Sequence, residues 1–367
     1  MCDLFNSCLE QGQFPSTWKK SVIKPIPKSS GASAPKDFRP VALTAVVAKV
    51  FERLLLRFIT PCLTDTQQFA YQPNKSTEDA VAYLLDTVTY HLDDNSKNYA
   101  RCLFIDFTSA FNTISPTILT HLLTDTELHG NIINLVYSFM TNRSQCVVTD
   151  VGMSSSRSTS VGSPQGCVLS PVLFSLYIQH MPTPNHGSYH LIKYADDTIL
   201  LELLNNNVPS TLPTAAIELV DWFQSNELVL NVGKTKELIF SNARDNPICD
   251  NLIINGTSVE QVESFTYLGT VVDSKLNFKS NTEAVVKKAR KRLFIMKKLY
   301  SLRVARPIRT RCYLTFIESV FIYHICTLFG HLSKTCLSEF DHVIHVAGSM
   351  AHCDFPPISA IYDRCFK

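Results

Sequence analysis

The chain has 367 residues, 45% of them hydrophobic, and a formal net charge of +2, which is enough apolar material for two or three subdomains. Near-neutrality excludes a uniformly basic nucleic-acid coat, so any such surface must come from local clustering. Twelve cysteines are scattered from Cys2 to Cys365 without a Cys-x-x-Cys pair. That pattern argues against a zinc ribbon or a disulfide scaffold and for reduced thiols in an intracellular protein, nuclear or cytoplasmic. No apolar run approaches the ~18 residues of a membrane span, and the opening residues lead us to expect no signal peptide.

Residues 1–20 read as a short amphipathic helix with a following turn. Val22 to Pro27 alternates as a strand does, with Pro25 and Pro27 placing it at a sheet edge. After the polar loop Lys28–Asp37, Phe38-Arg39-Pro40 leads into a helix over Ala45–Ile59, apolar at Val46, Val50, Leu54 and Phe58 and closed by Pro61. Lys24, Lys28 and Arg39 form a cationic neighbourhood suited to phosphates, or ordinary surface charge. Thr77–Leu92 reads as a helix with Ser76 as N-cap and Asp79 completing a capping box; its face of Ala80, Val81, Leu84, Leu85 and Val88 is core.

Cys102-Leu103-Phe104-Ile105 predicts a buried strand with Asp106 at its carboxyl end. Val161 to Pro171 is a Gly/Pro-punctuated loop leading into an apolar helix, and its backbone can approach a nucleotide closely at Gly166. Leu191 to Leu201 is an apolar run interrupted by two carboxylates, so Tyr194-Ala195-Asp196-Asp197 reads as the turn of a hairpin. Adjacent carboxylates raise each other's pKa and call for a partner, for which a divalent cation is the natural choice; the alternative is a solvated Asp-rich turn. If Asp106 meets this hairpin, three carboxylates share one site. Mg²⁺ binds through one or two carboxylates plus substrate phosphates, and two such ions about 4 Å apart would serve phosphoryl transfer.

Ala215–Leu228 reads as a helix covering the sheet, with Trp222 in the core. Residues 284–316 then hold eleven Lys or Arg and no acid. Val286, Ala289, Leu293 and Met296 recur at helical spacing and leave Lys287, Lys288, Arg290, Lys291 and Lys298 mainly on the other faces. Such a one-signed run suits a phosphate backbone. The last fifty residues mix Cys326, Cys336, Cys353 and Cys365 with His324, His331, His342, His345 and His352. Their spacings fit no compact zinc finger, so a helical packing role is expected.

Asp106, the Val161–Pro171 loop and the Tyr-Ala-Asp-Asp hairpin, in that order, resemble a reverse transcriptase. The whole pattern resembles the polymerase of non-LTR (LINE-like) retrotransposons. Phe38-Arg39-Pro40-Val41-Ala42-Leu43, Phe69 to Thr77, Phe104 to Asn112 and Leu230-Asn231-Val232-Gly233-Lys234-Thr235-Lys236 carry the same likeness, which runs from about residue 5 to 318 and recurs weakly at Asp363–Phe366. The resemblance implies an α+β right-hand polymerase fold. Fingers and the start of the palm would occupy 1–100, a palm with an antiparallel sheet 101–275, a small basic helical thumb 276–320, and a helical tail of unknown role 321–367.

It further implies RNA-directed DNA synthesis from an RNA template, a DNA primer and dNTPs, with Mg²⁺, or Mn²⁺ in its place, on Asp106, Asp196 and Asp197. Phe111 would be the aromatic gate that excludes a 2′-hydroxyl, and Gln165 and Gly166 the loop at the incoming nucleotide. Arg39 and Lys28 would clamp the triphosphate. Lys234, with Lys236 as the alternative, would lie near the leaving pyrophosphate. Tyr267, Leu268 and Gly269 would belong to the hairpin at the primer end. Lys287, Lys288, Arg290, Lys291 and Arg292 would track the duplex. The chain begins inside the polymerase region, so the family's upstream endonuclease is expected to be missing. A retrotransposon remnant that binds nucleic acid without catalysis is the competing reading.

Overall fold

The computed structural model describes residues 1–186, 188–205, 208–243, 247 and 249–366. In chain order the elements used below are α1 (Cys2–Gln11), β1 (Lys20–Pro27), β2 (Phe38–Leu43), α2 (Val46–Ile59), α3 (Thr77–Asp94), β3 (Asn98–Ile105), α4 (Ala110–Thr113), β4 (Arg143–Thr149), α5 (Ser170–Tyr177), β5 (Tyr189–Tyr194), β6 (Asp197–Asn205), α6 (Leu212–Ser225), β7 (Lys236–Ser241), β8 (Glu260–Val262), β9 (Ser264–Tyr267), β10 (Thr270–Asp273), α7 (Lys279–Ser301) and α8 (Lys334–Ala351).

The main sheet runs β8-β7-β3-β6-β5. Its central strand β3 is buried at every position, because alternate residues enter two different cores. Ala100, Cys102 and Phe104 meet α3 through Val81, Leu84 and Val88. Leu103 and Ile105 belong to the core that also takes in Phe51 of α2, Leu173 of α5 and Leu219 of α6. A strand covered on both faces favours apolar residues throughout, which is why Cys102–Ile105 reads as an apolar run; the buried Arg101 earlier in the strand is met by Glu237 of β7 at 2.6 Å. The α3 boundary carries the expected reciprocal cap: Ser76 Oγ accepts from Asp79 N and Asp79 Oδ2 from Ser76 N.

Two local expectations are corrected. β1 lies inside a second sheet ordered β2-β1-β4, not at its edge. Lys20–Ile23 pair with β4, whereas Pro25 and Pro27 lie beyond that pairing and meet β2 alone, so the missing N–H groups cost no ladder bond on the β4 side. On α2 the inward face is Ala48, Phe51, Glu52, Leu55 and Ile59, and Val46, Val50, Leu54 and Phe58 are exposed. The buried acid Glu52 sits within the true inward stripe and masks its period.

A third core joins α7 to α8, with Val286, Ala289 and Met296 against Phe340, Val343 and Ala347. Tyr313 stacks on Phe355 with centroids 3.7 Å apart, so helices on both sides of residue 320 share one interior. The cysteines are all free thiols. No single helix among the described residues is long and apolar enough to cross a membrane.

Candidate active site

β3 delivers Asp106, and the β5–β6 turn delivers Asp196 and Asp197, to the same end of the main sheet. Ile105 pairs with Thr198 and Tyr194 with Asp197, so one further step in the antiparallel register brings Asp106 level with Asp197. The main chain of Asp106 is fixed by the Asn231–Thr235 segment: Asn231 N donates to its carbonyl at 2.8 Å, and its own N–H reaches Thr235 Oγ1 at 3.4 Å. That segment also carries Lys234, whose Nζ lies 3.9 Å from Asp106 Oδ2. Lys236, the alternative, is paired instead with Glu260 at 2.7 Å.

Asp196 and Asp197 reach solvent but have protein on most sides, and this desolvation is the main force raising both carboxyls above their usual range. Asp197 is pushed up to about 6, with repulsion from Asp196 and Asp106 adding to burial. At Asp196, its own backbone N–H and the attraction of Arg39 oppose burial and Asp106. The three aspartates therefore share one field.

Among the described residues no three His, Cys, Asp or Glu side chains are gathered tightly enough to hold a metal ion unaided. Mg²⁺ does not need such a cage when substrate phosphates complete its shell. Desolvated, mutually repelling carboxylates, together with an Asp106 Oδ2 that accepts no hydrogen bond, are a donor set that a hard cation would relieve.

A pH dependence follows. Because the folded protein holds the Asp197 proton up to about pH 6, this group's contribution to stability is fully present below the unfolded pKa near 4 and is lost as pH rises through 6. Asp197→Asn removes that loss. Thermal melts of the metal-free protein should show the variant's advantage growing from pH 4 to 6 and level above 7; a constant difference would place Asp197 outside the shared field.

The loop before α5 joins three parts of the site. Gly162 has φ +77°, and a Cβ there would meet the Asn112 backbone at 2.7 Å; Ser163 N donates to Phe111 O at 2.7 Å. Gly166 has φ +108° and lies against Ala42 O, while Ala42 N donates to Gln165 O at 2.6 Å. The half-buried Phe111 ring, on α4, packs on Phe174 with centroids 5.2 Å apart. Behind the loop stands Glu52, 1% exposed, whose Oε2 accepts from Val168 N at 2.6 Å and Leu169 N at 3.1 Å. Burial raises the Glu52 carboxyl, against those two N–H groups and the nearby Arg143. Arg39 is exposed on β2 and its charge reaches Asp196. Lys28 instead turns into its own loop, donating from Nζ to Lys36 O at 2.8 Å.

A family model described as reverse transcriptase (RNA-dependent DNA polymerase) matches residues 26–272. The chain belongs to the reverse transcriptase family. It is 26% identical, over 88% of its length, to the probable RNA-directed DNA polymerase from transposon BS of Drosophila melanogaster, covering 37% of that protein. To the RNA-directed DNA polymerase from mobile element jockey of the same organism it is 28% identical over 75% of its length, covering 31%. The chain thus spans about a third of the length of these curated relatives. Among solved structures, telomerase from Candida tropicalis in complex with a TWJ fragment of telomeric RNA superposes with a TM-score of 0.53 at 12% identity, over 100% of this chain and 67% of that one. The fold is accordingly the right-hand polymerase fold, and the resemblance to retrotransposon polymerases stands.

In this family frame the β9–β10 hairpin needs one correction. Tyr267 is only 2% exposed and faces Phe104, with centroids 5.8 Å apart, so its side chain serves the core and cannot touch nucleic acid. Strand alternation turns it inward and leaves Leu268 (φ 45°) and Gly269 (φ 84°) at the tip. Tyr323, which the sequence reading passed over, holds that tip: its hydroxyl donates to Leu268 O at 2.7 Å, and its ring stands 3.2 Å from where a Gly269 Cβ would be. Tyr323, Lys288 and Arg292 line an open cavity of about 360 Å³ with Gly269.

On α7, Lys287, Lys288 and Lys291 are exposed. Arg290 pairs with Glu339 at 3.1 Å, and Arg292 donates to Phe316 O. Tyr71 was also missed; after burial, the negative charge of Asp196 is the next cause raising its hydroxyl pKa, which places it beside the site. Glu52 did leave a signal, an acid on the inward side of an apolar helix.

Proposed function

We propose that this chain is an RNA-directed DNA polymerase, extending a DNA primer on an RNA template with dNTPs. The observation that carries the reading is the convergence of Asp106 with Asp196 and Asp197 at one end of the main sheet, with Arg39 and Lys234 close enough to act on them. Asp106 and Asp196, with Asp197 more peripheral, would hold Mg²⁺ or Mn²⁺, which when bound favours ionisation of an attacking hydroxyl and neutralises a leaving phosphate. Arg39 and Lys234 bring positive charge to a triphosphate. Gln165 and Gly166 present backbone to the nucleotide, and Phe111 fills the space a 2′-hydroxyl would need. The hairpin tip at Leu268 and Gly269 and the free lysines of α7 hold the duplex by its phosphates, in a grip that weakens with salt. Fingers in 1–100, palm in 101–275 and thumb in 276–320 complete the assignment.

The direct test is primer extension on poly(rA)/oligo(dT) with dTTP and Mg²⁺. Extension that stops on chelation and resumes on adding the ion back is the expected result. A folded, duplex-binding protein that extends nothing would sink the reading in favour of a binding-only remnant. In the same assay, Phe111→Val should raise UTP use relative to dTTP by about tenfold or more, the scale of one lost steric exclusion. An unchanged ratio would remove Phe111 from the sugar site.

A further inference from the structure

The segment from Asp65 to Lys75 meets the end of β5 at Gln68, whose side chain reaches the turn that carries Asp196. Gln68 pairs with Lys193 as an isolated parallel bridge: Lys193 N donates to Gln67 O at 2.9 Å and Phe69 N to Lys193 O at 2.8 Å. Beneath it the Lys193 ammonium, fully buried, lies 2.6 Å from Asp65 Oδ2 and donates to Ile178 O at 3.3 Å. On this base the Gln68 side chain, 0% exposed, points its Oε1 at two backbone donors, Ala70 N and Ala195 N, each at 3.0 Å. Two N–H donors fix which end of the amide is oxygen. Its Nε2 is left buried without a partner, an arrangement that apolar packing alone would not favour.

Ala195 is the residue that needs such a bond. It is 6% exposed and takes a left-handed φ of 55° immediately before Asp196. Without an acceptor, its N–H would be buried and unpaired, and the turn would relax by rolling Ala195 toward the right-handed region, carrying both carboxylates away from Asp106.

We infer that Gln68 is a positioning residue for the Asp196–Asp197 turn, its buried carboxamide oxygen holding the Ala195 N–H and with it the two carboxylates. The inference rests on the polymerase reading for its kinetic consequence and on hydrogen bonding alone for its structural one. The polar stretch around Gln68 carries no chemical signature; its role is set by a contact across 127 residues.

The test uses the intact chain. Gln68→Leu keeps the bulk and removes the acceptor. It should speed amide exchange at Ala195 and lower kcat for primer extension by about tenfold or more, the factor by which an L-residue disfavours the left-handed turn. KM for primer–template should stay within about twofold. Adding Ala195→Gly, which makes the left-handed turn free of steric cost, should recover most of kcat, a rescue that a merely structural role for Gln68 would not produce. Gln68→Met serves as the second variant if Leu unseats the segment. Unchanged exchange at Ala195, or a loss of kcat that Ala195→Gly does not relieve, overturns the inference. If the wild-type protein extends no primer, the exchange measurement still decides the contact, and the failure belongs to the polymerase reading.

Discussion

Asp106→Ala and Asp196→Ala are each expected to reduce primer extension by about a thousandfold or more while leaving duplex binding intact. Each removes a charged donor from the one place where β3 and the β5–β6 turn meet, and a neutral methyl offers nothing to a cation or a phosphate. Neither touches Lys287, Lys288 or Lys291 on α7, so the salt-dependent grip on the duplex should persist. The fold should persist as well, because these carboxylates repel one another and burial disfavours the charge on Asp196 and Asp197. Melting temperatures at or above wild type are therefore expected for Asp196→Ala in metal-free buffer, together with loss of the stabilisation that Mg²⁺ and dNTP give the wild type. A variant that still extends primers at a tenth of the wild-type rate would mean that the reacting phosphate is held elsewhere.

Glu52→Leu is expected to destabilise the protein by about 3–5 kcal/mol, the range for breaking a buried charged network. Glu52 is 1% exposed, and two backbone donors at the head of α5 depend on it. The buried guanidinium of Arg143, itself 2% exposed, loses a nearby opposite charge with it. Both N–H groups donate to the same oxygen, Oε2, so Glu52→Gln can keep both bonds and should cost much less. Urea unfolding of the three proteins separates the terms. If Gln is as damaging as Leu, the charge facing Arg143 matters and the acceptor does not.

The elements that were legible in the sequence are those whose signal is local. A capping box at Ser76–Asp79, an apolar strand before Asp106 and a run broken by Asp196 and Asp197 each carry their reason within a few residues. Pairing was not local. Nothing near Asp106 encodes that Ile105 sits opposite Thr198; that register follows from how two cores share the faces of β3. The face of α2 was misread because Val46, Val50, Leu54 and Phe58 make a tidy series at every fourth position, whereas the buried series includes an acid. Tyr267 was misplaced because a motif gives order along the chain but not the side of the strand that a ring occupies. Gln68 was missed because an amide becomes informative only when its acceptor finds a donor, and that donor lies on another element.

The position of β3 has a consequence for biosynthesis. Both of its neighbours come later in the chain, β6 at Asp197–Asn205 and β7 at Lys236–Ser241. A nascent polypeptide emerges from its N-terminus, so a strand that is buried along its whole length in the folded chain waits, with first two edges and then one edge open, until residue 241 is out. Long-range closure of this kind folds slowly and leaves a template for pairing with other chains. Fragments ending between β6 and β7 should collect in aggregates, where fragments extending through β10 stay dispersed, and a chaperone that shields extended apolar segments should raise the yield of the full chain.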